Sequence, residues 1–299
     1  MFKKVHKNFK KELILCHINN WRFWEYWFEH RKVIAGLEIL KNRQDSNTVV
    51  SEFCNYDSSI SSVLDELNFF DKLEKINKII IKPNLLEIAP PPCTTDVKCI
   101  EAIIKYIFRY KSDAEISVLE GSGGCDTKNA FKALGYVQLE KNYKIKLVDV
   151  DSCNLKKLQD KNAIAYKEIF LPEVIFDGFF ISVPCLKEHS ITTVTLGLKN
   201  LIGLLPKKYY GGYWNYNRSD VHRVGVNNAI IDLNNYVNIG MTVIDGRFGQ
   251  KGSHLPGGRK CVPGKNIIMA GYDALEVDKR GAEILGHNWQ DVKHLKMFS

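Results

Sequence analysis

A chain of 299 residues, 45% hydrophobic and 25% charged, has the composition of an ordinary globular protein and is long enough for one large core or two modest ones. No stretch approaches the roughly 18 consecutive apolar residues of a membrane span. Lys10, Lys11, Glu12, His17 and Arg22 also break up any signal-peptide core, so a cytoplasmic protein without a transmembrane segment is expected. The net charge of +8 is gathered near the start, where residues 1–45 hold ten Lys/Arg and five Asp/Glu, and the mildly basic remainder argues against a nucleic-acid partner.

Residues 1–47 read as a basic, aromatic-rich helical extension. Trp21, Trp24, Trp27 and Phe28 recur at helical spacing, with Arg22, Glu25, Glu29 and Arg31 between them. Such a helix either packs across the following domain or docks on a partner or membrane surface, and its acidic residues weigh against anionic lipid. From residue 48 to 299 the pattern changes to that of an α/β domain. Thr48–Phe53 predicts a strand and Ile60–Leu73 a helix. Lys78–Lys82 (KIIIK) is a buried-strand run ended by Pro83, and the loop Asn84–Asp96 is stiffened by Pro90, Pro91 and Pro92. Val97–Arg109 returns to helical spacing. Glu115–Leu119 is a short strand running into the glycine-rich turn Glu120–Asp126, followed by a helix through Ala130, Phe131 and Leu134. Lys144–Val150 is a further strand, and Ile164–Leu171 reads as extended.

The stretch Asp177–Pro206 carries the densest signal. Phe179–Val183 predicts a buried strand closed by Pro184, with Lys187, Glu188, His189 and Ser190 at its exit. Ile191, Val194, Leu198, Leu201, Ile202 and Leu205 then recur at helical spacing, which predicts one helix with Thr192, Thr195 and Lys199 on another face. A strand feeding polar residues into a helix N-terminus would make a site for an anionic group. Lys207–Arg223 is crowded with tyrosines and also holds Trp214, Arg218 and His222; it suits a lid over a ligand or an interface between subunits. Met241–Asp245 predicts a strand, Gly246–Lys260 a glycine-rich basic loop carrying His254, Ile267–Ala270 a last strand and Ala274–Leu285 a helix.

Strand, loop and helix repeated in this way imply a mainly parallel sheet covered by helices. Ligands on such sheets collect where strands end. Three loops should therefore share one edge: Lys82–Asp96, Glu120–Asp126 and Pro184–Ser190. The turn at Gly121 and Gly123 lacks the third glycine of a dinucleotide fingerprint, and no Walker sequence occurs, so its N–H groups suit a lone carboxylate or phosphate. Cys93, Cys125 and Cys185 fall one in each loop and could bind a soft metal or a cluster if the loops converge, although no CxxC pair is present. His189, His222 and His254 lie in separate segments that could meet.

The strings Ile80-Ile81-Lys82-Pro83-Asn84-Leu85, Thr95-Asp96, Glu120-Gly121-Ser122-Gly123, Ile181-Ser182-Val183-Pro184, Lys187, His189-Ser190, Val194-Thr195-Leu196, Leu198-Lys199-Asn200-Leu201, Gly203 and Val243-Ile244-Asp245-Gly246 resemble the domain of unknown function 362 family, over about residues 48–295. The resemblance implies a prokaryotic protein and a ferredoxin-type or other protein partner. The chain departs from many members in lacking a ferredoxin segment and in having Cys185 where a lysine is common. The order strand, His189, glycine-containing helix and Lys199 is also similar to the lactate racemase family. That similarity implies a nickel-pincer nucleotide contacted by His189 and anchored by Lys199.

Together these readings predict an enzyme acting on a small carboxylate- or phosphate-bearing substrate. His189, Lys199 and Lys187 are its expected catalytic residues, with His189 as general acid/base. Lys82, Asn84, Glu120, Gly121, Ser122, Gly123, Ser190, Thr195, His222, Asp245 and His254 are expected to bind the substrate. The cofactor is left open between a metal, an iron–sulfur cluster and a nucleotide-type group. Two other classes stay open: a non-catalytic binding or assembly protein, and a redox protein sharing a cluster with a partner.

Overall fold

The computed structural model describes residues 48–213 and 217–299. All of them fall within the compact unit Gln44–Ser299. The helical extension expected over residues 1–47, and Trp214 of the aromatic loop, lie outside the described residues.

The chain opens with β1 (Thr48–Glu52), α1 (Tyr56–Glu66), α2 (Phe69–Leu73) and β2 (Lys78–Lys82). It continues with α3 (Val97–Tyr110), β3 (Glu115–Glu120), α4 (Thr127–Ala133), α5 (Tyr136–Asn142) and β4 (Ile145–Asp149). A separate antiparallel hairpin follows, β5 (Leu155–Gln159) with β6 (Glu168–Pro172). Then come β7 (Phe179–Ser182), β8 (Cys185–His189), β9 (Thr193–Thr195), α6 (Gly197–Asn200), α7 (Lys207–Tyr210), α8 (Asp220–Val224) and α9 (Val226–Tyr236). The chain ends with β10 (Met241–Lys251), β11 (Arg259–Lys260), β12 (Ile267–Gly271), α10 (Ala274–Leu285) and α11 (Lys293–Phe298).

The main sheet runs β1-β12-β10-β7-β2-β3-β4. The pairs from β10 across to β4 are parallel, and β12 and β1 close the other edge antiparallel. Strand alternation explains how one sheet serves two layers. Ile79, Ile81, Ile116, Val118, Val243, Ile268 and Ala270 point into one core with α1 and α3. Ile80, Leu119, Phe180, Ile244 and Met269, one residue out of phase, are buried as well. From β2 the chain winds outward through β3 to β4, whereas β7 and β10 lie on the other side of β2. The winding thus reverses between β2 and β7, where a crevice opens beyond the strand ends.

Three departures from the predicted elements matter. Ile60–Leu73 is not one helix, because Asn68 takes a left-handed φ of 51° and separates α1 from α2. The helix predicted from Ile191 to Leu205 is replaced, in its first part, by the hairpin β8–β9, with Thr193 at φ 65° in the turn. Only residues Gly197–Asn200 are α-helical, followed by a 3₁₀ turn over Leu201–Leu204. The cause is tertiary: β8 runs parallel to β10, pairing Cys185 with Asp245 and Lys187 with Gln250, and β-branched Thr193, Val194 and Thr195 suit a strand. By the same pairing the predicted loop Gly246–Lys260 is mostly strand, since β10 extends to Lys251 and pairs with β11.

Candidate functional site

A cavity of about 210 Å³ sits at this crevice. It is reached by the ends of β2 and β3, by the β8–β9 hairpin, by α6 and by α8. Val183 N–H donates to the Lys82 carbonyl (2.8 Å) and Gly124 N–H to that of Leu86 (2.8 Å), so the three strand-exit segments meet as their common edge requires. Two of the three end in helix caps: Asp96 accepts from Lys98 N–H at the start of α3, and Asp126 from Asn129 N–H at the start of α4.

Three lysines line the cavity, and an account of their donors separates them. Lys82, at the end of β2, is saturated. Its Nζ bonds the Glu120 carboxylate, the Pro83 carbonyl (3.2 Å) and Asn200 Oδ1 (3.5 Å). Glu120 also accepts the N–H groups of Leu85 and Gly121, both at 2.7 Å. This buried pair is therefore a stitch between β2 and β3. Burial pulls the Lys82 ammonium toward its neutral form, and Glu120 pulls it back. Lys187 on β8 donates to Asn84 Oδ1 (2.6 Å) and to the Cys93 carbonyl (2.7 Å); the side chain is fully buried in the cavity wall, and one N–H is left without a partner among the described residues. Burial lowers its pKa too. Among the described residues, Lys199, in α6, has no hydrogen-bond or ion-pair partner at Nζ. Its side chain is half-buried and lines the cavity. Burial, then the nearby Lys187 charge, brings its pKa down from 10.5 to about 7.

The imidazoles complete a basic wall. His189 Nδ1 accepts the N–H of Ile191 (3.0 Å), so the hydrogen-bond network puts the neutral ring's proton on Nε2. The His189 ring stacks on that of His254, with centroids 3.7 Å apart and planes within 15°. Burial, reinforced by the Lys199 charge, depresses the basicity of His189, His222 and His254, the last to about 3. Thr195 Oγ1 and His254 Nδ1 are buried without a hydrogen-bond partner. Leu86, Ile191, Ile202, Val221, Val226 and Leu255 provide the apolar part of the lining.

Of the residues expected from the sequence, Lys82, Asn84, Glu120, Gly121, Gly123, Lys187, His189, Thr195, Lys199, His222 and His254 all line this one cavity. Three others do not. Ser190 is exposed in the β8–β9 turn. Ser122 is buried, and its carbonyl accepts from Arg218. Asp245 faces α1, where Tyr56 Oη donates to its carboxylate (3.0 Å), and burial raises its pKa to about 6. The expected anion site at a helix N-terminus is already filled from within, because the Asp278 carboxylate accepts the N–H groups of Gly197 (2.7 Å) and Leu198 (2.9 Å).

The cysteines do not form a metal cage. Cys185 Sγ lies against Thr95 Oγ1 (3.8 Å), Cys93 Sγ against the His254 carbonyl (3.6 Å), and Cys125 near Ser122. Burial raises the pKa of each thiol, that of Cys185 to about 12, which disfavours the thiolate that a metal needs. Among the described residues no group of three or more His, Cys, Asp or Glu side chains is placed to hold a metal ion.

Among the polar side chains of the lining, the site expected from the sequence left out Asn200, Arg218 and Ser219. Asn200 donates to the Lys82 carbonyl (3.1 Å) and Ser182 Oγ (3.2 Å) and accepts from Asn84 (3.1 Å). A polar residue inside the apolar run Leu198–Leu205 was its signal. Arg218 is held by Asp151 (2.9 Å), a pairing across 67 residues that no local pattern marks.

The profile of a family described as Domain of unknown function (DUF362) matches residues 79–283. No curated protein matches the chain. Among solved structures, the lactate racemase apoprotein from Thermoanaerobacterium thermosaccharolyticum is similar, with a TM-score of 0.51 and 13% identity. The alignment covers 80% of this chain and 57% of that one, so the chain spans little more than half the length of this relative. At such identity the likeness is one of fold. No helix among the described residues is long and apolar enough to cross a membrane.

Proposed function

The chain belongs to the Domain of unknown function (DUF362) family, a name that carries no reaction, and we propose that it is an enzyme moving protons on a small carboxylate- or phosphate-bearing substrate. The observation that carries this reading is the amine of Lys199, which among the described residues has no partner, in a cavity where Lys187 also keeps one unpartnered N–H and the lining carboxylate, Glu120, is paired with Lys82. An entering anion finds charge there that the protein itself leaves uncompensated.

In this reading the substrate's anionic group meets Lys187, and Thr195 supplies a hydroxyl. His189 takes a role different from the general acid/base expected of it. Its Nδ1 is engaged by backbone N–H and its basicity is suppressed, so the neutral ring donates a hydrogen bond from Nε2 to a substrate oxygen. Lys199, with a pKa of about 7, is the group whose protonation changes near neutrality. Glu120 and Lys82 position the strand ends.

Two measurements test the reading. Thermal midpoints in acetate and in inorganic phosphate should rise with ligand, more at pH 6 than at pH 8.5, because the Lys199 ammonium forms as pH falls through about 7. Exchange of solvent deuterium into a panel of small carboxylates and phosphate esters should depend on Lys199 and His189. Midpoints unmoved by every anion would remove the proposal.

A further inference from the structure

We propose that Lys199 is a carbonyl-capturing nucleophile and that the cavity takes a 2-oxo acid or an anionic aldehyde, which Lys199 holds as an imine. This rests on the anion-site reading above and adds to it the substrate's second functional group.

Three features of the cavity support it together. First, the Lys199 amine is uncommitted. An amine serving only structure would be tied down as Lys82 is, by a carboxylate and carbonyls, whereas Lys199 Nζ faces the cavity without a partner. Second, its surroundings favour the neutral, nucleophilic form. Apolar Ile202, Val221, Val226 and Leu255 contribute to the lining, and the charged or titratable groups that interact with Lys199 are all bases: Lys187, His189, His222, His254 and His294. A lysine desolvated beside another cation is the setting in which amines add to carbonyl carbons. Third, the remaining polar groups match the rest of such a substrate. Lys187, buried in the cavity wall, has one N–H without a partner among the described residues and a charge that attracts a carboxylate, and the Nε2–H of His189 can polarise a carbonyl oxygen.

The step balances without an outside reagent. The Nζ lone pair of the neutral amine forms a C–N bond as the carbonyl π bond opens onto oxygen, which takes a proton first relayed from nitrogen. The carbinolamine then loses that oxygen as water with the second nitrogen-borne proton, leaving C=N. The imine nitrogen can take a proton from solvent to become an iminium.

The test uses the full chain with pyruvate as probe and cyanoborohydride as reductant, read by intact mass and peptide mapping. One adduct is expected, heavier than the protein by pyruvic acid less one oxygen and located on Lys199. It should be lost in Lys199→Met, suppressed by excess acetate, and formed in higher yield at pH 8 than at pH 6. Mapping on the unaltered protein locates the adduct even if the variant folds poorly. Adducts spread over surface lysines, or none on Lys199, would overturn the inference. Thermal shifts in acetate and phosphate, run in parallel, separate the two readings. Anions that stabilise the protein while pyruvate leaves Lys199 unmodified refute the carbonyl step alone, and no stabilisation by either anion refutes the site itself.

Discussion

Replacing Lys199 by methionine should make the protein more stable, by an amount that depends on pH. Unfolded, the amine has its ordinary pKa near 10.5; folded, it has one of about 7. Between those values the unfolded chain binds a proton that the native protein does not, so native stability rises with pH across that window. Below pH 7 the native state carries a charge it holds poorly. The difference of about 3.5 units, at about 1.36 kcal/mol each, sets an upper bound of about 5 kcal/mol. Water entering the cavity screens the charge, and about 2–3 kcal/mol is the figure to expect. Methionine keeps the length of the stem without the charge. At about 2–4 °C per kcal/mol for a domain of this size, Lys199→Met should melt about 4–12 °C above the parent at pH 6. The gap should narrow from pH 7 upward and close near pH 10.5. Urea or thermal unfolding in buffers lacking phosphate and carboxylates measures it. Inorganic phosphate at pH 6 should raise the parent's midpoint by more than that of the variant, which keeps Lys187 but lacks the second charge. A variant less stable than the parent at pH 6, or a gap that does not change with pH, would show that Lys199 is well paired in solution and refute the argument.

Lys82→Met leaves the buried Glu120 carboxylate without its cation and should cost about 3–5 kcal/mol, with Lys82→Met/Glu120→Gln recovering part of the loss in a double-mutant cycle. Gly203→Ala places a methyl about 2.5 Å from both Lys82 Nζ and Glu120 Oε1; destabilisation by about 1–3 kcal/mol in chemical denaturation is expected, together with weaker anion binding. Burial raises the pKa of Asp278 from 3.8 to about 7, so the native state binds the extra proton between those values and stability falls as pH rises through them. Melting points across that range should show this slope in the parent and a flatter one in Asp278→Asn.

Much of the sheet is legible in local pattern. KIIIK at Lys78–Lys82 and the apolar run at Phe179–Ser182 are buried strands because β-branched and aromatic residues filling both faces leave little else that they can be. The helices Val97–Tyr110 and Ala274–Leu285 announce themselves by spacing and by the caps Asp96 and Asp273. The error at Ile191–Leu205 is equally instructive. Its apolar residues satisfy a helical period, but pairing of β8 with β10 overrides it, and this contact joins residues about sixty positions apart. The same pairing moves His189 from a helix start to a hairpin arm.

The amino-acid order thus determined which polar residues leave the strand ends, and with them the membership of the family, because hydrophobic periodicity and short strings are local properties. It placed Lys82, Lys187 and Lys199 near one edge but could not say which of them the protein itself neutralises. Only the tertiary structure decided that Lys82 is neutralised by Glu120, that Lys187 keeps one N–H free and that Lys199 keeps all of its own. Partnership depends on distances between segments remote in the chain, and the same packing that brings these amines together withdraws the water that would otherwise make them equivalent.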